Sequence, residues 1–377
     1  MVEAMEIQKG YKQTAVGVIP SDWDAKPLGA VLKVRHGKSQ KEVADTNGEY
    51  PILASGGVIG KANKYLYNKP SVLIGRKGTI DKPQFMTKPF WSVDTLFYTE
   101  VFENYSPEFL YYNFLLIDWY AYNEASGVPS LNAKTIEQIP IPLPPTKAEQ
   151  TAIATALNDA DALITQLEKL IAKKRAIKQG AMQELLKPKD EWEVKKLGDV
   201  FNFKQGVQCP VEKQFYTYQE GLRRFIRIID LTQQDEIPRF ILDPGSSHHV
   251  LKDDLFMVRY GTPGLLGYGF EGVIANNLFR LIPMKKINSY FFYFLLFFKN
   301  TDIIRISSST TMAALNFTAL RELELSYPTD LKTQTHIAQI LSDMDAEIEA
   351  LENKLNKYKM IKQGMMQNLL TGRIRLV

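Results

Sequence analysis

A segment of 37 residues occurs twice in this chain, and the duplication limits the folds that the chain can adopt. Residues 150–186 align without a gap on residues 334–370, 184 positions later, and 20 of the 37 pairs are identical. An internal repeat of this length is the signature of a duplicated structural unit. We therefore expect two copies of one architecture within a single polypeptide.

Each copy is predicted to form one long helix with a broad apolar face. In the first copy, apolar residues recur at helical spacing in three adjacent rows, which begin at Ile153, Ala156 and Leu157. Three rows make a face wider than the seam of a dimeric coiled coil. The second copy has an equally wide face, so we expect the two helices to pair within the chain, with apolar width left for another partner.

A globular region precedes each helix, and it is duplicated as well. The pattern Trp-x-x-x-x-Leu-Gly begins at Trp23 and at Trp192, and Gly37 aligns on Gly206. Strands are predicted at 72–74, 96–98, 225–229 and 278–282, and aromatic helices at 109–116 and 290–298. The Pro-rich segment 139–145 is predicted to be an edge strand or strap, because proline cannot donate a hydrogen bond within a central ladder.

Two polar features of the repeated helix have structural interpretations. Thr146 and Glu149 have the spacing of a capping box at the start of the first copy. Asp159 and Asp161 recur at 343 and 345, but residues two apart point to different sides of a helix. We therefore expect these carboxylates to favour the helix dipole rather than to act as a catalytic pair.

Composition restricts the function without identifying it. The net charge of +4 and the pI of about 8.7 are compatible with nucleic-acid binding but do not require it. The single cysteine, Cys209, excludes an intrachain disulfide framework and a cysteine-based zinc site, and it favours the cytoplasm. The apolar run at 290–298 is far shorter than the ~20 residues that a membrane helix needs. We expect no membrane association.

The sequence contains no convincing catalytic or cofactor-binding motif. His-Glu-x-x-His is absent, and the adjacent His248 and His249 are predicted to be exposed in a loop. The glycine-rich segment 55–62 lacks the first glycine and the closing Ser or Thr of a phosphate-binding loop. The segment 261–267 contains a proline and precedes no predicted helix, unlike a dinucleotide-binding turn. We expect a chain that is not an enzyme and that binds no cofactor or metal.

The order domain, helix, domain, helix closely resembles the specificity subunit of type I restriction–modification enzymes. The resemblance rests on the patterns at Trp23 and Trp192, the Pro-rich segment 139–145, and the duplicated Ile-Lys-Gln-Gly at 177–180 and 361–364. It implies that each globular domain is a target-recognition domain for one half of a split, asymmetric site in double-stranded DNA. It also implies an inert subunit that docks two methyltransferase subunits, which bind S-adenosylmethionine, and on which restriction subunits can assemble.

The predicted fold is α+β, with two globular α/β target-recognition domains joined by two long helices in an antiparallel coiled coil and an internal pseudo-two-fold repeat. The predicted divisions are a tail at 1–20 that packs near the C-terminus, domains at 21–145 and 188–329, a central helix at 146–187, and a distal helix with the C-terminal tail at 330–377. Helices of 37 residues would be roughly 55 Å long, on the order of 16 base pairs of DNA. The pair of helices can therefore set the distance between two half-sites.

Glycine-flanked turns are the predicted DNA contacts, because their backbone can approach phosphate while long side chains reach the groove. Trp23, Trp192 and the aromatic helices are expected in the core instead. The alternative interpretation of each turn is an ordinary solvated loop. The predicted DNA-binding residues are Arg76, Lys77, Arg259, Tyr260, Ser55, Lys61, Asn63, Lys64, Ser126, Ser130, Ser308 and Thr310.

Small and methionine residues near the end of each helix allow two interpretations. Gly180 and Met182, with their counterparts Gly364 and Met366, suit a close contact between the helices. They equally suit docking of a methyltransferase subunit. For the whole chain, the alternative function is a two-headed protein-binding adaptor with a coiled-coil spacer.

Overall fold

The computed structural model describes residues 9–233, 235–307 and 314–376, and the chain divides into two compact units. Unit 1 comprises the chain up to residue 168 together with the chain from residue 353, and unit 2 comprises residues 169–352. Each unit holds one globular domain and a part of both long helices, which have 39 residues each. No helix within the described ranges is long and apolar enough to cross a membrane.

Unit 1 is built from short strands, two short α-helices and parts of both long helices. The strands form a four-stranded antiparallel sheet in the order β4-β10-β7-β8, a three-stranded sheet in the order β6-β5-β9, and two strand pairs, β1-β2 and β11-β3. Within the three-stranded sheet, β5 and β9 are parallel. The elements are β1 (Tyr11–Thr14), β2 (Gly17–Pro20), β3 (Asp24–Pro27), β4 (Leu32–His36), β5 (Tyr50–Ala54), β6 (Gly57–Ala62), β7 (Ser71–Gly75), β8 (Gln84–Met86), β9 (Trp91–Ser92), β10 (Leu96–Val101), α1 (Pro107–Phe114), α2 (Ala133–Gln138), β11 (Pro140–Leu143) and α3 (Lys147–Leu185).

Unit 2 repeats this arrangement. Its four-stranded sheet has the order β13-β20-β17-β18, its second sheet has the order β15-β14-β19-β16 with β14 and β19 parallel, and β12 pairs with β21. The elements are β12 (Glu193–Lys196), α4 (Leu197–Val200), β13 (Phe201–Gln205), β14 (Leu222–Ile226), α5 (Ile228–Thr232), β15 (Arg239–Leu242), β16 (His249–Val250), β17 (Leu255–Val258), β18 (Leu266–Gly267), β19 (Gly272–Ile274), β20 (Leu278–Pro283), α6 (Ser289–Phe298), α7 (Asn300–Arg305), α8 (Phe317–Arg321), β21 (Glu324–Tyr327) and α9 (Leu331–Leu369).

The residues that identified the sequence repeat have the same structural roles in both units. Trp23 and Trp192 are buried in the two main hydrophobic cores, as predicted. The Pro-rich segment forms β11, which pairs with β3 in a two-stranded sheet and with no other described strand, so the predicted edge strand is confirmed. Gln150 and Gln334, the first residues of the repeat, each accept a hydrogen bond from the backbone just before the aromatic helix of their unit, at 3.0 and 2.9 Å.

The long helices pair in an antiparallel manner within each unit. In unit 1, Lys362 lies 2.5 Å from Asp161 and Lys359 lies 2.8 Å from Glu168, so ascending positions of α3 meet descending positions of α9. In unit 2, Lys174 lies 2.6 Å from Glu347. Leu, Ile and Ala residues of both helices pack into the core of each unit. The predicted antiparallel pairing is confirmed.

The structure corrects two local predictions. The strand predicted at 225–229 ends at Ile226, because the Asp230 carboxylate accepts a 2.9 Å hydrogen bond from the Arg227 amide and α5 begins there. The helix-dipole role of Asp159 and Asp161 is wrong, because both lie beyond the first turn of α3, where the dipole no longer acts. Asp161 instead forms an ion pair with Lys362.

The capping box is half formed. The Thr146 hydroxyl accepts a 3.2 Å hydrogen bond from the Glu149 amide, as the motif requires. The Glu149 carboxylate, however, is nearly buried and receives two hydrogen bonds from Arg375. A long-range ion pair has therefore taken the place of the local hydrogen bond.

Candidate nucleic-acid interface

Three of the predicted DNA-binding loops lie together in unit 1. A Cβ atom at Gly78 would lie 3.6 Å from the Ser55 hydroxyl oxygen, so the turn after β7 touches the turn between β5 and β6. The Gly78 amide donates to the Pro129 carbonyl at 2.9 Å, and Lys77 forms a β-bridge with Ser130. The structure therefore joins the turns at 55–56, 76–78 and 126–130 into one surface, which we call the three-loop cluster.

The backbone of the three-loop cluster is held by hydrogen bonds rather than by side-chain packing. The Asn123 side chain accepts from the amides of Ala125 and Ser130, at 3.1 and 2.9 Å, and donates to the Ala125 carbonyl at 2.8 Å. The Leu131 amide donates to the Arg76 carbonyl at 2.9 Å. These bonds leave the Lys77 and Ser126 side chains exposed, a suitable arrangement for phosphate or base contacts.

Lys61, Asn63 and Lys64 lie elsewhere on unit 1. They are exposed at the end of β6 that is opposite to the three-loop cluster. β6 has six residues, so at about 3.3 Å per residue roughly 17–20 Å separates its two ends. These three residues can extend the positive surface but do not belong to the three-loop cluster.

In unit 2, Arg259 is the structural counterpart of Arg76. Its amide donates to the Asn277 carbonyl and its carbonyl accepts from Leu315, both at 2.8 Å, which repeats the pattern at Arg76. Tyr260 pairs with Ala314 as Lys77 pairs with Ser130. Ser308 and Thr310, predicted in the matching loop, lie outside the described residues.

The side chain of Arg259 points into its own domain. Its Nη1 atom donates to the Gln205 side-chain oxygen at 2.8 Å, and its guanidinium lies 4.3 Å from the centre of the Phe317 ring. A guanidinium held by an internal hydrogen bond and a cation–π contact is a weaker candidate for DNA contact than a free one. The matched backbone positions therefore do not have matched side-chain roles.

The two units differ at the edge that carries the three-loop cluster. In unit 1 two residues, 55 and 56, join β5 to β6, whereas in unit 2 twelve residues, 227–238, join the equivalent strands β14 and β15. A Cβ atom at Gly261 would lie 3.0 Å from Ile228, so this connection touches the turn after β17 just as Ser55 touches Gly78. One scaffold thus presents two different surfaces.

Arg239 is a candidate that the sequence patterns did not reveal. It is the first residue of β15, directly after the long connection, and its guanidinium stacks 3.5 Å from the centre of the Tyr216 ring. Within the described residues, its Nε and Nη1 atoms are buried without a hydrogen-bond partner. Tyr216 and Tyr218 beside it are 59% and 67% exposed. An unpaired, stacked guanidinium next to exposed tyrosines is typical of nucleic-acid binding surfaces.

Neighbouring arginines of unit 2 form ion pairs with carboxylates of their own domain. Arg223 pairs with Asp243 at 3.0 Å, and Arg227 pairs with Asp230 at 2.9 Å and with Glu236 at 3.0 Å. His249 and Arg223 donate to Asp243 and hold the pKa of that carboxyl well below its usual range. Because these arginines already pair with carboxylates, Arg239 is a better candidate for DNA contact than the arginines of strand β14.

The prediction of an exposed His249 is corrected, because its ring is half-buried against Asp243.

The predicted docking residues separate into two kinds. Met182 is buried in the core of unit 2, and Met366 packs against the core of unit 1, so both contribute to internal packing. A Cβ atom at Gly180 or Gly364 would meet nothing within 4 Å. Close helix packing therefore does not explain the glycines, although glycine destabilises a helix interior by about 1 kcal/mol relative to alanine.

An exposed apolar surface lies beside each of these glycines. Ile177 is 46% exposed and its repeat counterpart Ile361 is 42% exposed. In unit 2, the neighbouring groove has a volume of about 490 Å³ and is lined by Lys178, Met182 and Phe297, among others. Both units thus expose an isoleucine at the matching position of the repeat, and unit 2 adds a groove beside it.

Comparisons with known proteins give the same assignment for both halves. A family model described as "Type I restriction modification DNA specificity domain" matches the chain twice, at residues 20–179 and 189–359. The chain belongs to this family. The two matches confirm the predicted duplication and the resemblance of the sequence to type I specificity subunits. Such subunits are non-catalytic, so the expectation that this chain is not an enzyme in its own right is also confirmed.

Relatives within the specificity-domain family match all or part of the chain. The type I restriction enzyme MjaVIII specificity subunit of Methanocaldococcus jannaschii is 22% identical over 430 aligned positions, which cover 100% of this chain and 99% of the relative. The EcoDI specificity subunit of Escherichia coli is 27% identical over 169 positions, covering 44% of this chain and 36% of the relative. The crystal structure of a type I S subunit from M. genitalium has a TM-score of 0.69 at 18% identity, over 92% of this chain and 96% of that one, which shows a shared fold.

Proposed function

We propose that this chain is the DNA sequence-specificity subunit of a type I restriction–modification complex in the cytoplasm, and that each globular domain binds one half of a bipartite, asymmetric site. The observation that supports this function is the combination of one repeated scaffold with two different exposed edges. A dimeric protein that recognises a palindrome presents the same surface twice. Two different surfaces on one scaffold suit two different half-sites.

The three-loop cluster of unit 1 and the Arg239 surface of unit 2 are the proposed contact regions. Lys77 and the small donors Ser55, Ser126 and Ser130 can bind phosphates and base edges. Arg239 can form two hydrogen bonds with guanine, the commonest specific contact in the major groove, once the stacked Tyr216 ring uncovers its buried Nε and Nη1 atoms. Arg259 positions the neighbouring turn through Gln205 and Phe317 and does not itself reach DNA.

The paired exposed faces support docking of two methyltransferase subunits, one beside Gly180 and one beside Gly364. Ile177 and Ile361 are the apolar centres of these two faces. The subunit has no cofactor of its own under this proposal, and the docked partners bind S-adenosylmethionine. Restriction subunits join the assembly through the methyltransferase subunits or beside them.

The half-site proposal is tested with the complex reconstituted from this chain and its methyltransferase partner. Lys77→Gln and Arg239→Gln should each reduce DNA binding, and Arg239→Gln should also relax base selectivity in one half-site by about 1–3 kcal/mol, the worth of a bidentate base contact. Arg223→Gln is the matched control, because its guanidinium already pairs with Asp243. The measurements are binding to a randomised DNA library and sequencing of the methylated products.

Distinct outcomes separate the rival functions. A complex that methylates DNA without sequence preference contradicts the proposal. Binding of proteins but not of selected DNA sequences favours the two-headed adaptor instead. Methyl transfer from labelled S-adenosylmethionine by this chain alone would show that it is an enzyme.

A further inference from the structure

Three helices of unit 1 meet at one charged cluster. Lys362 of α9 lies 2.5 Å from one oxygen of Asp161 in α3, and the hydroxyl of Tyr112 in α1 donates to the other oxygen at 2.8 Å. The Lys362 ammonium also lies 5.6 Å from the centre of the Tyr112 ring. One residue from each long helix and one from the globular domain therefore form a closed group, which we call the clasp of unit 1.

Unit 2 contains the same group built from the other copy of each residue. Lys178 of α3 forms an ion pair with Asp345 of α9, and its ammonium lies 5.4 Å from the centre of the Phe294 ring in α6. Asp345 and Lys362 are the counterparts of Asp161 and Lys178 at the repeat distance of 184. The two clasps thus exchange the lysine and the carboxylate between α3 and α9 and both include an aromatic ring, although Phe294 lacks the hydroxyl with which Tyr112 binds Asp161.

The lysines of the clasps are better protected from water than the basic side chains of the other ion pairs between the helices, although the clasp carboxylates are 40% and 41% exposed. The lysine side chains of the clasps are 18% and 20% exposed, whereas Lys359 and Arg175, which pair with Glu168 and Glu352, are 50% and 65% exposed. Ion pairs at the surface contribute little to the free energy of folding and hold their side chains only weakly, because water and salt screen the charges. A lysine that lies between a carboxylate and an aromatic ring is restrained by both partners at once, so it links the two long helices to the aromatic helix.

The geometry points to a positioning role, and we propose that the two clasps fix the orientation of each recognition domain on its paired helices and thereby the half-site spacing that the subunit accepts. The proposal rests on the DNA-specificity function given above. Each clasp includes the aromatic helix of its domain, so it transmits the position of the helices to the domain that contacts DNA. Within the part of the chain that the structure describes, the hydrogen bonds, ion pairs and ring contacts of the clasps involve no proposed DNA-contact residue, so the clasps should affect the accepted spacing and not the accepted bases.

The test replaces the clasp lysines with an uncharged side chain of similar length. Lys178→Met and Lys362→Met, singly and together, are assembled with the methyltransferase partner and compared at equal methyltransferase occupancy, because Lys178 also lines the groove beside the docking face. They are tested on sites whose half-sites are held constant while the spacer varies by one or two base pairs. Wild-type complex should prefer one spacing. The double variant should lose about tenfold of that preference, equivalent to about 1.4 kcal/mol, while the bases recognised in each half-site stay the same.

Matched controls separate the clasp from general stabilisation. Lys359→Met removes a lysine from the same helix whose ion pair is exposed, and it should leave the spacing preference unchanged. Tyr112→Phe removes only the hydroxyl and makes the clasp of unit 1 like that of unit 2, so it should have a smaller effect than Lys362→Met. An unaltered spacing preference in an active double variant would overturn the proposal.

A second measurement does not depend on DNA. Hydrogen–deuterium exchange of the free full-length chain should show faster amide exchange in α1 for Lys362→Met and in α6 for Lys178→Met, with no change for Lys359→Met. Unchanged exchange in both helices would overturn the positioning role even if the chain never binds DNA. Faster exchange in the variants, combined with no sequence-selective DNA binding by the complex, would support the clasp as a contact that positions each domain. It would contradict the proposed DNA-specificity function instead.

Discussion

Gly37 and Gly206 show how single residues of the repeat are determined by backbone approach. A Cβ atom at Gly37 would lie 2.0 Å from the Val93 carbonyl oxygen, and one at Gly206 would lie 2.2 Å from the Ala275 carbonyl oxygen. Both glycines follow the first strand of the four-stranded sheet of their unit. The alignment of the two glycines therefore reflects the same close contact between chain segments in both domains.

Alanine at either glycine should destabilise its unit. The added methyl group meets backbone atoms rather than a flexible side chain, and overpacking of this kind costs about 1–3 kcal/mol. Gly56→Ala is the control, because a Cβ atom there meets nothing within 4 Å. Denaturant unfolding of the full chain measures the three variants, and equal midpoints for Gly37→Ala and Gly56→Ala would contradict this explanation.

The long helices combine an inner face that builds the cores with an outer face that remains available. Their inner Leu, Ile and Ala residues pack into both cores, while Ile177 and Ile361 remain about half exposed beside glycines without neighbours. The apolar face predicted from the sequence was wider than one helix partner requires. Ile177 and Ile361 belong to this wide apolar face, and the fold leaves them exposed.

A charge on this outer face should weaken partner docking. Ile177→Asp and Ile361→Asp should each lower the number of bound methyltransferase subunits by one, and the double variant should bind none at concentrations that saturate the wild type. Loss of an apolar interface centre costs 2 kcal/mol or more, about a thirtyfold loss of affinity. Native mass spectrometry of the reconstituted complex counts the subunits.

Ala172→Asp provides the matched control for docking. It adds the same charge to an exposed position of α3 on another side of the helix, since five residues correspond to about 140° of rotation. Full occupancy by Ile177→Asp, or equal loss by Ala172→Asp, would contradict docking at this face.

At the scale of the whole molecule, the chain closes its repeat by joining its two terminal segments within unit 1. Arg375 donates to both oxygens of Asp22, at 2.9 and 3.0 Å, and to the nearly buried Glu149. The Tyr11 hydroxyl lies 3.5 Å from the Gly372 carbonyl, and a Cβ atom at Gly372 would meet Pro20. The residues that follow the second helix therefore pack where unit 2 has a continuous chain between α3 and β12.

Removal of Arg375 should destabilise unit 1 at neutral pH. Arg375→Met leaves the Glu149 carboxylate buried without a partner, which costs about 3–5 kcal/mol, whereas Asp22→Asn removes a mostly exposed partner and should cost at most about 1 kcal/mol. Arg373→Met is the control, because Arg373 is exposed. Thermal unfolding measures all three, and similar melting temperatures for the two arginine variants would contradict the role of Arg375.

The contribution of Asp22 should also depend on pH. Its hydrogen bond to Arg375 lowers the pKa of Asp22 below the ordinary value of 3.8. The Asp22 carboxylate therefore binds a proton more readily in the unfolded chain than in the folded one. The stabilisation that the Asp22–Arg375 ion pair gives is fully present above pH 3.8 and is lost as the pH falls through the lower pKa of folded Asp22. The difference between wild type and Asp22→Asn should accordingly vanish in strong acid, and a difference that persists there would contradict the ion pair.

The sequence by itself predicted the duplicated helices, the buried tryptophans, the edge strand and the family. Hydrophobic periodicity and the gapless repeat can both be read from the order of residues along the chain. The strands at 72–74, 96–98 and 278–282 are likewise confirmed, for the same reason. Asp161, Glu149 and Arg239 needed the tertiary structure. Their partners are Lys362, Arg375 and Tyr216, which are distant in the chain, and no local pattern encodes which distant charge or ring a side chain meets. Only the folded chain decides which polar residues stabilise the scaffold and which remain free to bind a partner.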